Sequence, residues 1–153
     1  MHQILLYLHS WNRWLLLFLG FLFLVVSFYY KNNTVQKRSE NILRLGYLIA
    51  LDVQFLLGLL LYAIYSPEVK AAFADLTFAM KSGVLRFFAL EHFFMAVLAM
   101  LFLHTGNYLS AKEENPIKAR SLRLIFFSVA YLWVILTIPW PFREEIARPL
   151  WRF

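Results

Sequence analysis

Along the chain, long stretches that are almost free of charge alternate with short polar segments in which Lys, Arg, Asp and Glu collect. Four apolar blocks, at about 4–30, 42–65, 84–109 and 122–138, carry Leu, Phe, Val and Ile on every side rather than in one stripe or in strict alternation. A helix that is apolar all round has apolar surroundings all round. Each block is close to the roughly 20 residues needed to cross a bilayer as a helix. An isolated strand would leave its backbone groups unpaired in lipid, so each block must be helical. The pattern predicts an all-α integral membrane protein, one domain over 1–153, whose four helices run up, down, up and down through the membrane.

The polar segments predict two further elements on the outer side. Ser66-Pro67-Glu68 reads as an N-cap, a first-turn proline and an acidic first turn, and Val69, Phe73, Leu76 and Met80 follow at helical spacing until Gly83. This gives a short interfacial helix over about 67–81. Pro139 and Pro141 end the fourth block, and the mixed Arg, Glu, Trp and Phe of 142–153 suggest a second interfacial segment. The first block does not read as a cleavable signal: no Lys or Arg precedes it, its apolar run is too long, and no small-residue cleavage site follows.

Composition agrees, with 61% hydrophobic and 19% aromatic residues and a mean hydropathy of +0.62. The net charge of +6 does not mark a nucleic-acid binder, because the cations punctuate the gaps between blocks instead of covering one face. The partner they imply is the bilayer. Lys31, Lys37, Arg38 and Arg44 follow the first block, and Lys112, Lys118, Arg120 and Arg123 follow the third. By the positive-inside rule both loops are cytoplasmic and both termini periplasmic, in a bacterial inner membrane. The opposing cations are Lys70, Lys81, Arg143, Arg148 and Arg152, with Arg13 and Arg86 discounted as lying inside helices. With no cysteine, the chain can hold no disulfide, Fe–S cluster or c-type haem attachment. No phosphate-binding glycine motif is present, and no loop is long enough to build a site for a soluble substrate, so an electron carrier or a subunit is expected rather than a stand-alone enzyme.

Ionisable groups inside spans cost about 2.5–3.5 kcal/mol each, so each needs a partner or a task. The candidates are His9, Arg13, Asp52, Gln54, Arg86, Glu91, His92 and His104. With a rise of about 1.5 Å per residue, His9 lies about 7–8 Å and His92 about 12 Å below the outer face. In an up-down-up-down bundle the first and third helices are diagonal, so these imidazoles can face one another as the two axial ligands of a haem b. Gly58 falls in the same layer and leaves room for a porphyrin. Arg13, one turn below His9, is placed to pair with Glu91, and Arg86 is placed to meet the propionates. The bland readings stand beside these: His9 as an interfacial belt residue, and Arg13 with Glu91 as a packing clamp. Asp52 and Gln54 point about 160° apart. Asp52 is either a proton-relay carboxylate or a neutral group bonded to a neighbouring helix. His104 has no second histidine at its depth, which excludes a second bis-His haem and favours a snorkelling or capping role.

His9-Ser10, Arg13-Trp14, Gln54, Leu57-Gly58, Leu61-Tyr62, Arg86-Phe87-Phe88, Glu91-His92, Gly106, Tyr108 and the Ile138-Pro139-Trp140-Pro141-Phe142 ending run over nearly the whole chain. With these motifs the sequence resembles a family of small four-span membrane proteins of Bacteroidota-type bacteria commonly labelled cytochrome b. That resemblance implies a haem-b electron carrier of the respiratory membrane, with the family's His-Ser and Glu-His positions falling on His9 and His92. A second hypothesis is a cofactor-free structural subunit of a larger membrane complex, with Gly20, Gly58 and Ala96 serving close helix contacts. Both imply a membrane protein partner or a homo-oligomer. A third, an ion-conducting bundle using Asp52, has only one midplane carboxylate to build on.

Overall fold

The structure, a computed structural model, describes residues 1–33 and 38–149. The described elements are all helical: α1 (His2–Tyr29), α2 (Arg38–Tyr65), α3 (Pro67–Ala74), α4 (Leu76–Lys81), α5 (Gly83–Lys112) and α6 (Pro116–Thr137). Four of these, α1, α2, α5 and α6, are long and apolar enough to cross a membrane.

Two spans start earlier than hydropathy suggests. The Asn115 side chain accepts from Ile117 N and Lys118 N, and Pro116 occupies the first turn, so α6 begins well before residue 122. Hydropathy registers where charge stops rather than where hydrogen bonding starts. As a result Arg120 and Arg123, expected as loop cations, lie inside a helix and are buried. Likewise α2 begins by Arg38 and takes Glu40 and Arg44 with it. Lys37 lies outside the described residues.

Ser66 caps α3 as its sequence suggests, accepting from Val69 N at 3.2 Å. The expected single helix over 67–81 is nonetheless two. Asp75 adopts an extended conformation, and its carboxylate accepts from Phe78 N at 2.9 Å, ending one helix and capping the next. The tail was expected as an interfacial segment over 142–153. Within its described part, residues 142–149 form turns rather than a helix, and Arg148 N bonds Pro139 O at 3.1 Å, folding the tail back on the bundle. Residues 150–153 lie outside the described residues.

Hydrogen-bond register shows each neighbouring pair of spans to be antiparallel. Gln54 meets His9 while Glu40 meets Ser27. Tyr62 meets Ala89 while Asp52 meets His104. His92 meets Thr137 while Ser110 meets Arg123, and Tyr131 meets Leu17 while Arg120 meets Tyr30. The four spans thus form a square with α1 diagonal to α5. Its core, from Leu16 and Phe23 through Tyr47, Leu51, Leu103 and Phe127, fills the middle of the bundle. The outward faces are apolar as well, with Leu8, Trp11, Leu15, Phe18 and Val25 exposed along α1.

Lipid is as apolar as these side chains, so hydrophobic transfer does not choose which faces meet; close packing and polar links do. Gly106 supplies the first, since a Cβ there would collide with Phe126 Cβ of α6. Polar links close the end of the bundle formed by Tyr29, Arg38, Lys112 and Pro116, hereafter the hairpin end. Glu40 is 0% and Arg120 3% exposed. Arg120 donates to Glu40 through Nε and Nη2, both at 3.1 Å. It also donates to Tyr30 O at 2.8 Å and to Asn33 O. Ser27 Oγ completes the carboxylate's shell at 3.0 Å. One ion pair therefore ties α6 to α2 and to the end of α1.

Candidate functional site

At the opposite end of the bundle the core opens into a cavity of about 330 Å³. That is at the low end of the roughly 300–1,000 Å³ range of ligand pockets. Its walls include His9 and Arg13 of α1, Gln54 and Gly58 of α2, Phe88 and His92 of α5, Thr137 of α6, Glu68 of α3 and Arg148 of the tail. Four of the predicted site residues, His9, His92, Gly58 and Arg13, are therefore brought together.

Two π-helical turns shape this cavity: Leu61–Tyr65 at the end of α2 and Phe87–Glu91 near the start of α5. Each inserts one residue beyond α-helical spacing, as π turns near ligand sites often do. Ser66 N reaches Leu61 O at 2.8 Å and the backbone N–H of His92 reaches Phe87 O. The extra residue turns His92 by about 100° relative to an unbroken α-helix from Gly83. Tyr62 Oη donates to Ala89 O at 2.7 Å, joining one π turn to the other.

His92 is held through Nδ1, which lies 2.8 Å from Thr137 O. A carbonyl only accepts, so Nδ1 carries the proton and Nε2 keeps its lone pair. A backbone carbonyl holding the far ring nitrogen in this way is the usual support of a metal-ligating histidine. Phe87 and Phe88 flank the ring at centroid distances of 5.6 and 6.2 Å.

His9 is held differently. Gln54 Nε2 lies 3.1 Å from His9 Nε2 and 3.1 Å from His9 O, while Gln54 Oε1 accepts from Asn12 Nδ2 at 2.8 Å. Asn12 Nδ2 also reaches Ala50 O at 2.9 Å. An amide N–H donates, so His9 Nε2 is the acceptor and a ligand at that atom would displace Gln54. The gap at Gly58 was expected to admit a porphyrin. Instead it admits His9, since a Cβ on Gly58 would lie 3.2 Å from His9 Cε1.

The charged groups also differ from expectation. Glu91 was expected to pair with Arg13, yet it takes Arg86 Nε at 2.7 Å. In an α-helix residues five apart diverge by about 140°; the intervening π turn stacks them instead. Arg86 also donates to Met80 O at 3.0 Å, and neither Arg86 nor Glu91 is among the residues that line the cavity. Arg13 does line it. The other cation there is Arg148, which donates to Glu68 at 2.8 Å and lies over the Phe88 ring at 4.6 Å. Sequence reasoning missed this pair, having read Arg148 as tail surface and Glu68 as a capping acid.

Asp52 and Gln54 do face apart: Gln54 turns to α1, and Asp52 turns to α5, where its carboxylate lies 2.8 Å from His104 Nε2. His104, expected as a snorkelling or capping residue, is thus the partner of Asp52. Their side chains are 41% and 46% exposed on the outside of the bundle, away from the cavity.

Among the described residues no three His, Cys, Asp or Glu side chains cluster to bind a metal ion. A porphyrin brings four ligands of its own, so a haem needs only two axial groups from the protein. Of the cavity's lining residues, His9 and His92 carry the imidazole nitrogens that such a group would take, and Gln54 occupies the one on His9. Comparison of the chain with protein-family models, with curated proteins and with solved structures gives no match.

Proposed function

We propose that this protein is a b-type cytochrome that carries one haem between His9 and His92 and passes single electrons in a bacterial inner membrane. The observation that carries the reading is that two histidines, 83 residues apart in sequence and on diagonal helices, both line one cavity. The Thr137 carbonyl that leaves His92 Nε2 basic supports it further, as does the resemblance of the chain's motifs to the small four-span cytochrome b family.

When bound, a haem supplies reversible one-electron chemistry that no side chain of this protein has. The chain's own residues do the rest. His92, oriented by Thr137 through Nδ1, would supply Nε2 to the group, and His9 would supply its own Nε2 once released by Gln54. The apolar wall made by Phe88 and the surrounding spans excludes water. Arg13 and Arg148 take the place first assigned to Arg86 as cations for the propionates, because they line the cavity and Arg86 is not among its walls. A membrane partner or a second copy would accept the electron. The termini face the periplasm, a reading supported by Lys31, Arg38, Lys112 and Lys118 at the hairpin end. On that orientation α3 and α4 lie along the outer interface, with Phe73, Leu76, Phe78 and Met80 exposed to lipid.

A second reading, a cofactor-free subunit of a larger membrane complex, is favoured by the Gln54–His9 bonds, which satisfy His9 within the protein. Histidine replacement separates the two. Under the haem reading His92→Ala and His9→Ala each abolish the sharp reduced α-band or convert it to a high-spin spectrum, and His104→Ala leaves it intact. A band that survives both ligand replacements refutes the assignment.

A further inference from the structure

The hairpin end carries more buried positive charge than its acid can balance. Arg123 of α6 is 8% exposed and donates through Nε to Ser110 Oγ at 3.2 Å. Glu40 is already committed, for its two oxygens accept from Arg120 and Ser27. Arg44, half-buried on α2, donates to Asn107 of α5, and its Nε is buried without a hydrogen-bond partner. Arg44 and Arg123 thus reach one turn of α5, at Asn107 and Ser110, where the acceptors they find among the described residues are neutral oxygens.

A buried charge left uncompensated is strongly unfavourable, so an anion at this turn accounts for what the protein itself leaves open. The depth identifies its chemistry. The partners of Arg44 and Arg123, Asn107 and Ser110, lie five and two residues from the end of α5, or about 3–8 Å along it. That is about where the hydrocarbon core of a bilayer gives way to its headgroup layer. Arginine forks match phosphate oxygens in pairs, and basic pockets between spans are recognised sites for anionic headgroups.

We propose that Arg44 and Arg123 form a binding site for a phosphate-bearing anion, supplied either by the headgroup of an anionic phospholipid or by free phosphate. The site lies at the opposite end of the bundle from the His9–His92 cavity and does not depend on the haem reading.

The test uses the full chain, purified in detergent and stripped of lipid, with thermal unfolding and native mass spectrometry as readouts. Phosphatidylglycerol is compared with phosphatidylcholine, and potassium phosphate with potassium chloride at matched ionic strength. Phosphatidylglycerol should remain bound and raise the unfolding temperature where phosphatidylcholine does not. Arg123→Gln and Arg44→Gln should each weaken retention by about tenfold, the loss of a charge-assisted contact. Should Arg123→Gln fail to fold, half-buried Arg44→Gln decides the matter, with Arg44→Lys recovering part of the binding. Phosphate alone giving the full shift makes free phosphate the ligand; a shift with phosphatidylglycerol only makes it a headgroup. Equal retention of both lipids with no phosphate effect, or Arg44→Gln binding as tightly as the parent chain, overturns the site. A co-purifying protein lost in Arg44→Gln without any lipid effect also overturns it, in favour of a partner's carboxylate.

Discussion

At the scale of single residues, the most buried ion pair among the described residues is Glu40–Arg120, closed off from solvent, with Arg120 also donating to Tyr30 O. Replacing Arg120 with Leu leaves a buried carboxylate without its ion-pair partner, and should cost about 3–5 kcal/mol of stability. Replacing Glu40 and Arg120 together with Leu removes both charges and should restore most of that loss. Unfolding of the single and double variants in mixed micelles measures the coupling, and additive losses would deny the pair its role. The Asp52–His104 contact is more exposed, and bonds between spans average only about 0.6 kcal/mol. His104→Ala should therefore change stability by less than a third as much as Arg120→Leu in the same assay.

At the scale of elements, the π turns and the glycine seams decide geometry. Tyr62→Phe removes the bond from one π turn to the other while keeping the ring. It should cost about 0.6–2 kcal/mol and speed hydrogen exchange at Ser66 N and His92 N, the amides that close the π turns; unchanged exchange at both would show that the turns hold without it. Gly106→Leu drives a side chain into Phe126 and should destabilise the α5–α6 seam by about 1–3 kcal/mol or more. Phe94→Ala, on an exposed face of α5, should be nearly neutral in the same unfolding assay, because lipid replaces what it touched. Such contrasts explain what the sequence could and could not reveal. The four spans were legible because lipid imposes an all-round apolar pattern, and the Ser66 cap because its chemistry is local. The π turns were not, since Phe87-Phe88-Ala89-Leu90-Glu91 reads as ordinary helix; missing the turn misassigned the partner of Glu91 from Arg86 to Arg13. Arg120 was read as a loop cation because its acid, Glu40, is 80 residues away.

At the scale of the whole molecule, depth counting found the residues that share the cavity, His9, His92, Gly58 and Arg13, but not their contacts. Helical rise fixes height along the bundle, while rotation about each axis depends on capping and π turns that rise ignores. Orientation in the membrane is open to a direct check, because a chain without cysteine accepts single-cysteine labels cleanly. Ser39→Cys and Glu114→Cys sit at exposed positions of the hairpin end and should resist an impermeant thiol reagent added to intact cells, reacting only after lysis. Labelling from outside would invert the topology. The measurement that bears most directly on the function is the absorption spectrum of the purified protein, expressed with a haem supply and recorded oxidised and then dithionite-reduced. A bis-histidine site predicts a Soret band at a ratio of about one haem per chain and a sharp low-spin α-band on reduction. A colourless protein that is folded and fully haem-supplied would contradict the cytochrome reading and leave the structural subunit as the account of this bundle.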